Sequence, residues 1–131
     1  MPDQKIFGIG TDVTECPRIA RMIEKHGDAF LQRIFTDAEI AYCQKNRAHT
    51  QHYTGRWCAK EAILKALGTG WSGGILWRDM EILNKPGGAP YVTLKGATAE
   101  IAEKMGIAEV LISISHCESV ATATAVAIGY A

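Results

Sequence analysis

Apolar positions in this chain repeat with two different periods, and each change of period marks a change of element. From Arg56 to Leu67 the helical period holds: Ala59, Ala62, Ile63, Ala66 and Leu67 fall on one broad face, and Trp57 with Leu64 forms a second apolar ridge. This predicts a helix buried over most of its circumference and stopped at Gly68, where glycine takes a left-handed cap without steric cost. Glu61 and Lys65 share the polar wedge that remains, one turn apart. Between Lys5 and Val13 the period is two, which predicts a strand. Phe7, Ile9 and Val13 lie on one side of it; Ile6, Gly8, Gly10 and Asp12 lie on the other. Two glycines on one strand face mean that another backbone comes close, and Asp12 ends that stripped face.

A helix is expected from Thr14 to about His26, with Thr14 as its cap, Pro17 in the first turn and Gly27 as the stop. Ile19, Met22, Ile23 and His26 make its inner face, while Arg18, Arg21 and Lys25 repeat on the outer one. Phe30 to Phe35 reads as a short helical or extended piece. Thr36-Asp37-Ala38-Glu39 is a capping box that opens a helix to about Lys45. Asn46 to Thr54 is polar and carries His49 and His52, with no third ligand at metal spacing.

After a loop from Trp71 to Gly74, a strand is expected from Ile75 to Asn84, a turn from Lys85 to Pro90, and a returning strand from Tyr91 to Lys95. Ala97 to Met105 reads as a helix ended by Gly106. Val110 to Ser115 and Val120 to Tyr130 are strands joined by His116 through Ser119. Four alanines share one face of the last strand, and a face that small must be packed closely by a helix or by another subunit. The order β-α-α-α-β-β-α-β-β predicts an α+β fold, an antiparallel sheet packed against helices in a single domain spanning 1–131.

Composition narrows this picture little. A chain of 131 residues, 47% apolar and 21% charged, fits one globular domain with a sizeable core. Its formal net charge of zero gives no global field to gather nucleic acid or a membrane surface. No apolar run reaches the ~18–20 residues of a membrane span, and Met1 to Lys5 lacks the basic-then-apolar layout of a secretory leader. Cys16, Cys43, Cys58 and Cys117 form no C-x-x-C pair, so a reducing cytoplasm is the expected home.

The candidate chemistry sits in the polar wedge. Read alone, Glu61 and Lys65 make an ordinary i,i+4 ion pair. A carboxylate flanked by Trp57 and Leu64 is partly desolvated, however, and needs a cation, a metal or a donor to stay ionised. Asp12, with Thr14 taking the capping role, supplies a second carboxylate from a different element.

These segments resemble one family in order and spacing. Gly8-Ile9-Gly10-Thr11-Asp12, Arg33-Ile34-Phe35-Thr36, Gly55-Arg56, Trp57-x-x-Lys60-Glu61-Ala62, Lys65 through Gly70, Gly88-Ala89-Pro90 and Ser113-Ile114-Ser115-His116 are similar to the 4′-phosphopantetheinyl transferase superfamily. Within it the chain looks most like the short, single-domain branch, the holo-acyl-carrier-protein synthases. The resemblance implies transfer of the phosphopantetheine arm of coenzyme A to a serine of an apo-acyl carrier protein, releasing adenosine 3′,5′-bisphosphate. It implies Mg²⁺ held by Asp12 and Glu61, and Lys65 at the departing phosphate. Two hard carboxylates suit that ion, which takes one or two of them alongside phosphate oxygens. The base that accepts the serine proton stays open between Glu61 and a water on the ion.

By the same resemblance, Arg56, Lys60 and His116 contact the 3′-phosphate and diphosphate, with Gly68 also at the cofactor, and Asn84, Gly88 and Pro90 wall the adenine side. Arg18, Arg21 and Met22 match a helix that docks the acidic carrier protein. A homotrimer with its sites between subunits is implied too. Cys117 stands where the family more often has Ser or Thr, and the chain is neutral where many relatives are basic.

Overall fold

The alternating stretch at the start forms one long strand, β1 (Gln4–Glu15), and this strand runs straight through the residue expected to cap the next helix. Thr14 is not a cap. It is a buried strand residue paired with Ala121, and helix α1 (Cys16–His26) begins only at Cys16, with Pro17 in its first turn. The strand persists because its inner face, Gly10 and Thr14 included, is buried, and burial on one face fixes register more strongly than a local cap. The computed structural model describes residues 3–71 and 74–130. Ser72 and Gly73 of the expected loop lie outside them.

Three further helices follow: α2 (Asp28–Ile34), α3 (Asp37–Gln44) and α4 (His49–Leu67). Thr36 and Glu39 close the capping box at α3 as expected, at 3.2 and 2.9 Å. Helix α4 starts two turns earlier than the apolar period suggests, so the polar His49–Thr54 stretch is helix and not loop. Gly68 caps it in the left-handed region at φ 75°. His26, assigned above to the inner face of α1, ends the helix exposed, while Cys16 and Ile19 are its buried residues.

The expected strand from Ile75 is shorter. A 3₁₀ turn (Trp77–Asp79) precedes β2 (Met80–Asn84), which pairs with β3 (Pro90–Leu94). Helix α5 (Gly96–Met105) leads to β4 (Ile107–His116) and β5 (Val120–Tyr130). The single antiparallel sheet expected from the element order is therefore two: a three-stranded sheet β1-β5-β4 and the separate β2-β3 hairpin. No helix among the described residues is long and apolar enough to cross a membrane.

Helix α4 covers the inner face of the three-stranded sheet. Ala121, Ala123, Ala125 and Ala127 are all at most 2% exposed, so the alanine face is filled by this chain's own helix and not by another subunit. The glycines of β1 serve the same contact. A Cβ on Gly8 would overlap the Ala66 carbonyl oxygen, and one on Gly10 would overlap that of Ala62 and lie 2.7 Å from the Ala66 nitrogen. Those are backbone atoms and cannot step aside without moving the helix. Gly10→Ala is accordingly expected to cost about 3 kcal/mol, read by urea unfolding. A loss below about 1 kcal/mol would show that α4 can lift off β1 cheaply.

Two face assignments, those of Ile6 and Phe7, reverse at the start of β1. The ladder with β5 slips by a residue between Ile6 and Gly8, and the extra residue turns Phe7 inward against the core while Ile6 is left 65% exposed. The outer face of the sheet is uncovered: Ile9, Val13 and Leu111 are all exposed there, in rows with Val126 and Thr122 of β5.

Candidate functional site

Strand and helix bring Asp12 to Glu61 by matched steps. Gly8 lies on Ala66 and Gly10 on Ala62, so two strand residues (about 6.6 Å) advance as far as four helix residues (about 6.0 Å). The next step places Asp12 beside Cys58 and Glu61. The Asp12 side chain is 15% exposed. Its Oδ1 accepts from Lys65 Nζ at 3.3 Å, and its Oδ2 accepts from the Thr14 hydroxyl at 3.0 Å. Lys65 also donates to the Thr11 carbonyl at 2.9 Å. The ordinary Glu61–Lys65 pair is thus replaced by a bridge from helix to strand.

Glu61 is half-buried. Burial first, then the negative charge of Asp12, raise its carboxyl pKa above the usual value, against the pull of Lys65 and Arg18. Cys58 adds no third anion, because burial pushes its thiol up to about 12 and it donates to the Ala121 carbonyl. Among the described residues no group of three or more His, Cys, Asp or Glu side chains gathers as a metal cage. Two carboxylate oxygens on separate elements, with a neutral thiol behind them, form a donor set that suits a hard ion completing its shell from a phosphate and water.

A second cluster lies around Arg56. Its guanidinium is buried, donates through Nη2 to Asn84 Oδ1 at 2.6 Å and lies 4.2 Å over the Tyr42 ring, while its buried Nε has no hydrogen-bond partner. Asn84 in turn donates to the Gly88 carbonyl at 2.9 Å. Pro90 pairs with Asn84 across the hairpin. The His116 ring meets His52 edge-on at 4.9 Å, His52 meets Tyr42 at 5.5 Å, and His116 Nδ1 lies 2.8 Å from Gln51 Oε1. Burial, His116 and Arg56 together hold the His52 pKa below its usual value.

Arg56, Asn84, Gly88, Pro90 and His116 are brought together, and Tyr42, Gln51 and His52, which the sequence did not single out for this cluster, join them. The signal for His52 was present: it stands one turn before Arg56 on the same helix. Gly68 stands apart as the exposed cap of α4.

Lys60 does not join either cluster. Its ammonium is 0% exposed and donates to Glu39 Oε1 at 2.8 Å, the Ile34 carbonyl at 2.7 Å and the Trp77 carbonyl at 3.2 Å. Three donors have three acceptors, so none is left for a phosphate. Arg18 and Arg21 are exposed on α1 and Met22 is half-buried between them; Arg18 lies 5.6 Å over the Trp57 ring.

The two clusters flank α4 on opposite sides. Gly55, Ala62 and Ala66 mark its sheet-facing line. At about 100° per residue, His52 and Arg56 lie to one side of that line, and Cys58, Glu61 and Lys65 to the other.

A model of the 4′-phosphopantetheinyl transferase superfamily matches residues 8–125. The holo-[acyl-carrier-protein] synthase of Koribacter versatilis is 43% identical over 121 residues, 92% of this chain and 97% of that protein. That of Desulforudis audaxviator is 47% identical over 124 residues, 95% of this chain and 94% of its own. Among solved structures, holo-[acyl-carrier-protein] synthase from Neisseria meningitidis superposes with a TM-score of 0.86 at 35% identity, covering 94% of this chain and 98% of that one. The Helicobacter pylori enzyme in complex with coenzyme A gives 0.80 at 29% identity, covering 91% and 98%.

Proposed function

The chain belongs to the 4′-phosphopantetheinyl transferase superfamily, and from that premise we propose that it is a holo-acyl-carrier-protein synthase moving phosphopantetheine from coenzyme A to a carrier-protein serine. The observation that carries the reading is the meeting of Asp12, Glu61 and Lys65 from two elements, with the buried Arg56 cluster on the same helix.

In this reading the serine oxygen bonds to the phosphorus nearer the pantetheine arm. The bond from that phosphorus to the bridging oxygen breaks, and adenosine 3′,5′-bisphosphate leaves. Such a reaction asks the protein mainly for positioning and charge neutralisation. Asp12 and Glu61 would hold Mg²⁺, whose charge offsets that of the diphosphate when it is bound. Lys65, 54% exposed on its side chain, is free to turn from Asp12 towards the departing phosphate. Arg56 offers its buried, unpartnered Nε and His116 a ring nitrogen on the nucleotide side. The serine proton would pass to Glu61 or to a water beside it. Arg18 and Arg21 would steer an acidic carrier protein to α1.

Two observations support a homotrimer with shared sites. The outer sheet face exposes Ile9, Val13 and Leu111. The carboxylates and the Arg56 cluster also lie on opposite flanks of α4, so a ligand that needs both is served more directly across a boundary between copies.

The test is mass spectrometry of apo-acyl carrier protein incubated with the chain, coenzyme A and Mg²⁺. A phosphopantetheine mass increment that vanishes with chelator is expected; a folded chain giving no increment on any carrier protein of a panel overturns the reading.

A further inference from the structure

Thr14 lies at the point where the sequence pattern and the structure disagree. It shares the inner face of β1 with Asp12, two residues away, and is only 5% exposed. Its hydroxyl donates to Asp12 Oδ2 at 3.0 Å, whereas Oδ1 is held by Lys65 at 3.3 Å. The two grips differ in kind. The Lys65 side chain is 54% exposed on a long flexible stem and can swing away. Thr14 is β-branched, packed between the sheet and the Cys58 thiol, and fixed by the strand that also carries Asp12, so its hydroxyl has little freedom to leave Oδ2.

From this asymmetry we infer that Thr14 is a positioning residue for the cation site: it pins Oδ2 and leaves Oδ1 as the oxygen that faces the incoming ion. The inference rests on the reading of Asp12 and Glu61 as ligands. The Cys58 thiol lies against both Asp12 and Thr14, but it stays protonated and donates to the Ala121 carbonyl, which leaves the Thr14 hydroxyl as the shorter and stronger donor to Oδ2. Groups that hydrogen-bond a metal's own ligands change metal affinity about 10–100-fold when removed.

The experiment is a Mn²⁺ titration followed by electron paramagnetic resonance on the full chain with saturating coenzyme A and no carrier protein, so that turnover plays no part. Thr14→Val keeps shape and removes the hydroxyl; it is expected to weaken Mn²⁺ binding about 10-fold or more. Thr14→Ser restores the hydroxyl and should return affinity to within about 3-fold of the parent, a rescue that loss of packing would not produce. Should Thr14→Val fail to fold, the comparison of Thr14→Ala with Thr14→Ser replaces it. Unchanged Mn²⁺ affinity in a folded variant lacking the hydroxyl overturns the inference, provided Asp12→Asn does lose the ion. A parent chain that binds no Mn²⁺, or an Asp12→Asn variant that binds it normally, overturns the ligand assignment itself and Thr14's role with it.

Discussion

Glu61→Gln will reduce carrier-protein labelling about 1,000-fold or more, since charge stabilisation by a bound ion is worth several kcal/mol of transition-state energy, and it will do so without unfolding the chain. The second half of that result separates a ligand from a structural residue. Burial and Asp12 raise the Glu61 pKa in the folded protein, so the folded state holds the Glu61 proton more tightly than the unfolded chain does. Without the ion, the contribution of Glu61 to stability is therefore largest below the unfolded value, near the usual 4.5, and is lost as pH rises through the raised folded value. Gln has no proton to lose. In chelator at neutral pH the variant should melt no lower than the parent, while its transfer rate collapses. Binding of the ion needs the carboxylate, so transfer by the parent should fall as pH drops, and added Mg²⁺ should move that fall to lower pH because ion and proton compete for Glu61. Thermal unfolding in chelator and labelling across pH measure both. A folded Glu61→Gln chain with full turnover would remove the ion from Glu61.

Much of this site was legible because it depends on local periods. The stripped face of β1 and the polar wedge on α4 each follow from spacing alone, and both survive in the structure. What spacing could not give was tertiary partnership. Glu39 satisfies a capping-box pattern, and the box forms, but no local rule says that its carboxylate also accepts from Lys60 and from the Ile82 backbone nitrogen at 3.0 Å. Thr14 has the composition of a helix cap, and the sheet ladder with β5 overrides it. The His49–Thr54 stretch lacks an apolar face because it supplies polar and aromatic groups to the Arg56 cluster, so the pattern that marks a helix was absent where the helix builds that cluster. Phe7 was placed on the wrong side by a single inserted residue, which alternation cannot register. The motif resemblance suffered in the same way: it assigned Lys60 by position, and position said nothing of what surrounds the ammonium.

Lys60→Met gives the largest expected loss of stability. The ammonium joins the end of α2, the start of α3, the 3₁₀ turn and α4 through three bonds, and it is fully buried. Burial outweighs the attraction of Glu39 and holds its pKa below that of an ordinary lysine. A buried pair of this kind contributes little over an apolar replacement, but removing one partner strands the other charge, at a cost of about 3–5 kcal/mol. Here two carbonyls are orphaned as well, those of Ile34 and Trp77. Glu39→Leu should cost a similar amount, since it strands the ammonium and the Thr36 and Ile82 nitrogens. The double variant should lose about as much as either single one and not their sum, because each change removes the same bond and neutralises what the other leaves behind. Urea unfolding of the four proteins gives that coupling directly. The folded fraction of Lys60→Met should keep its KM for coenzyme A within about 2-fold, since the loss lies in packing and charge pairing at a point with no access to ligand. A stable Lys60→Met chain with a sharply raised KM would return Lys60 to the diphosphate and make the buried pair incidental.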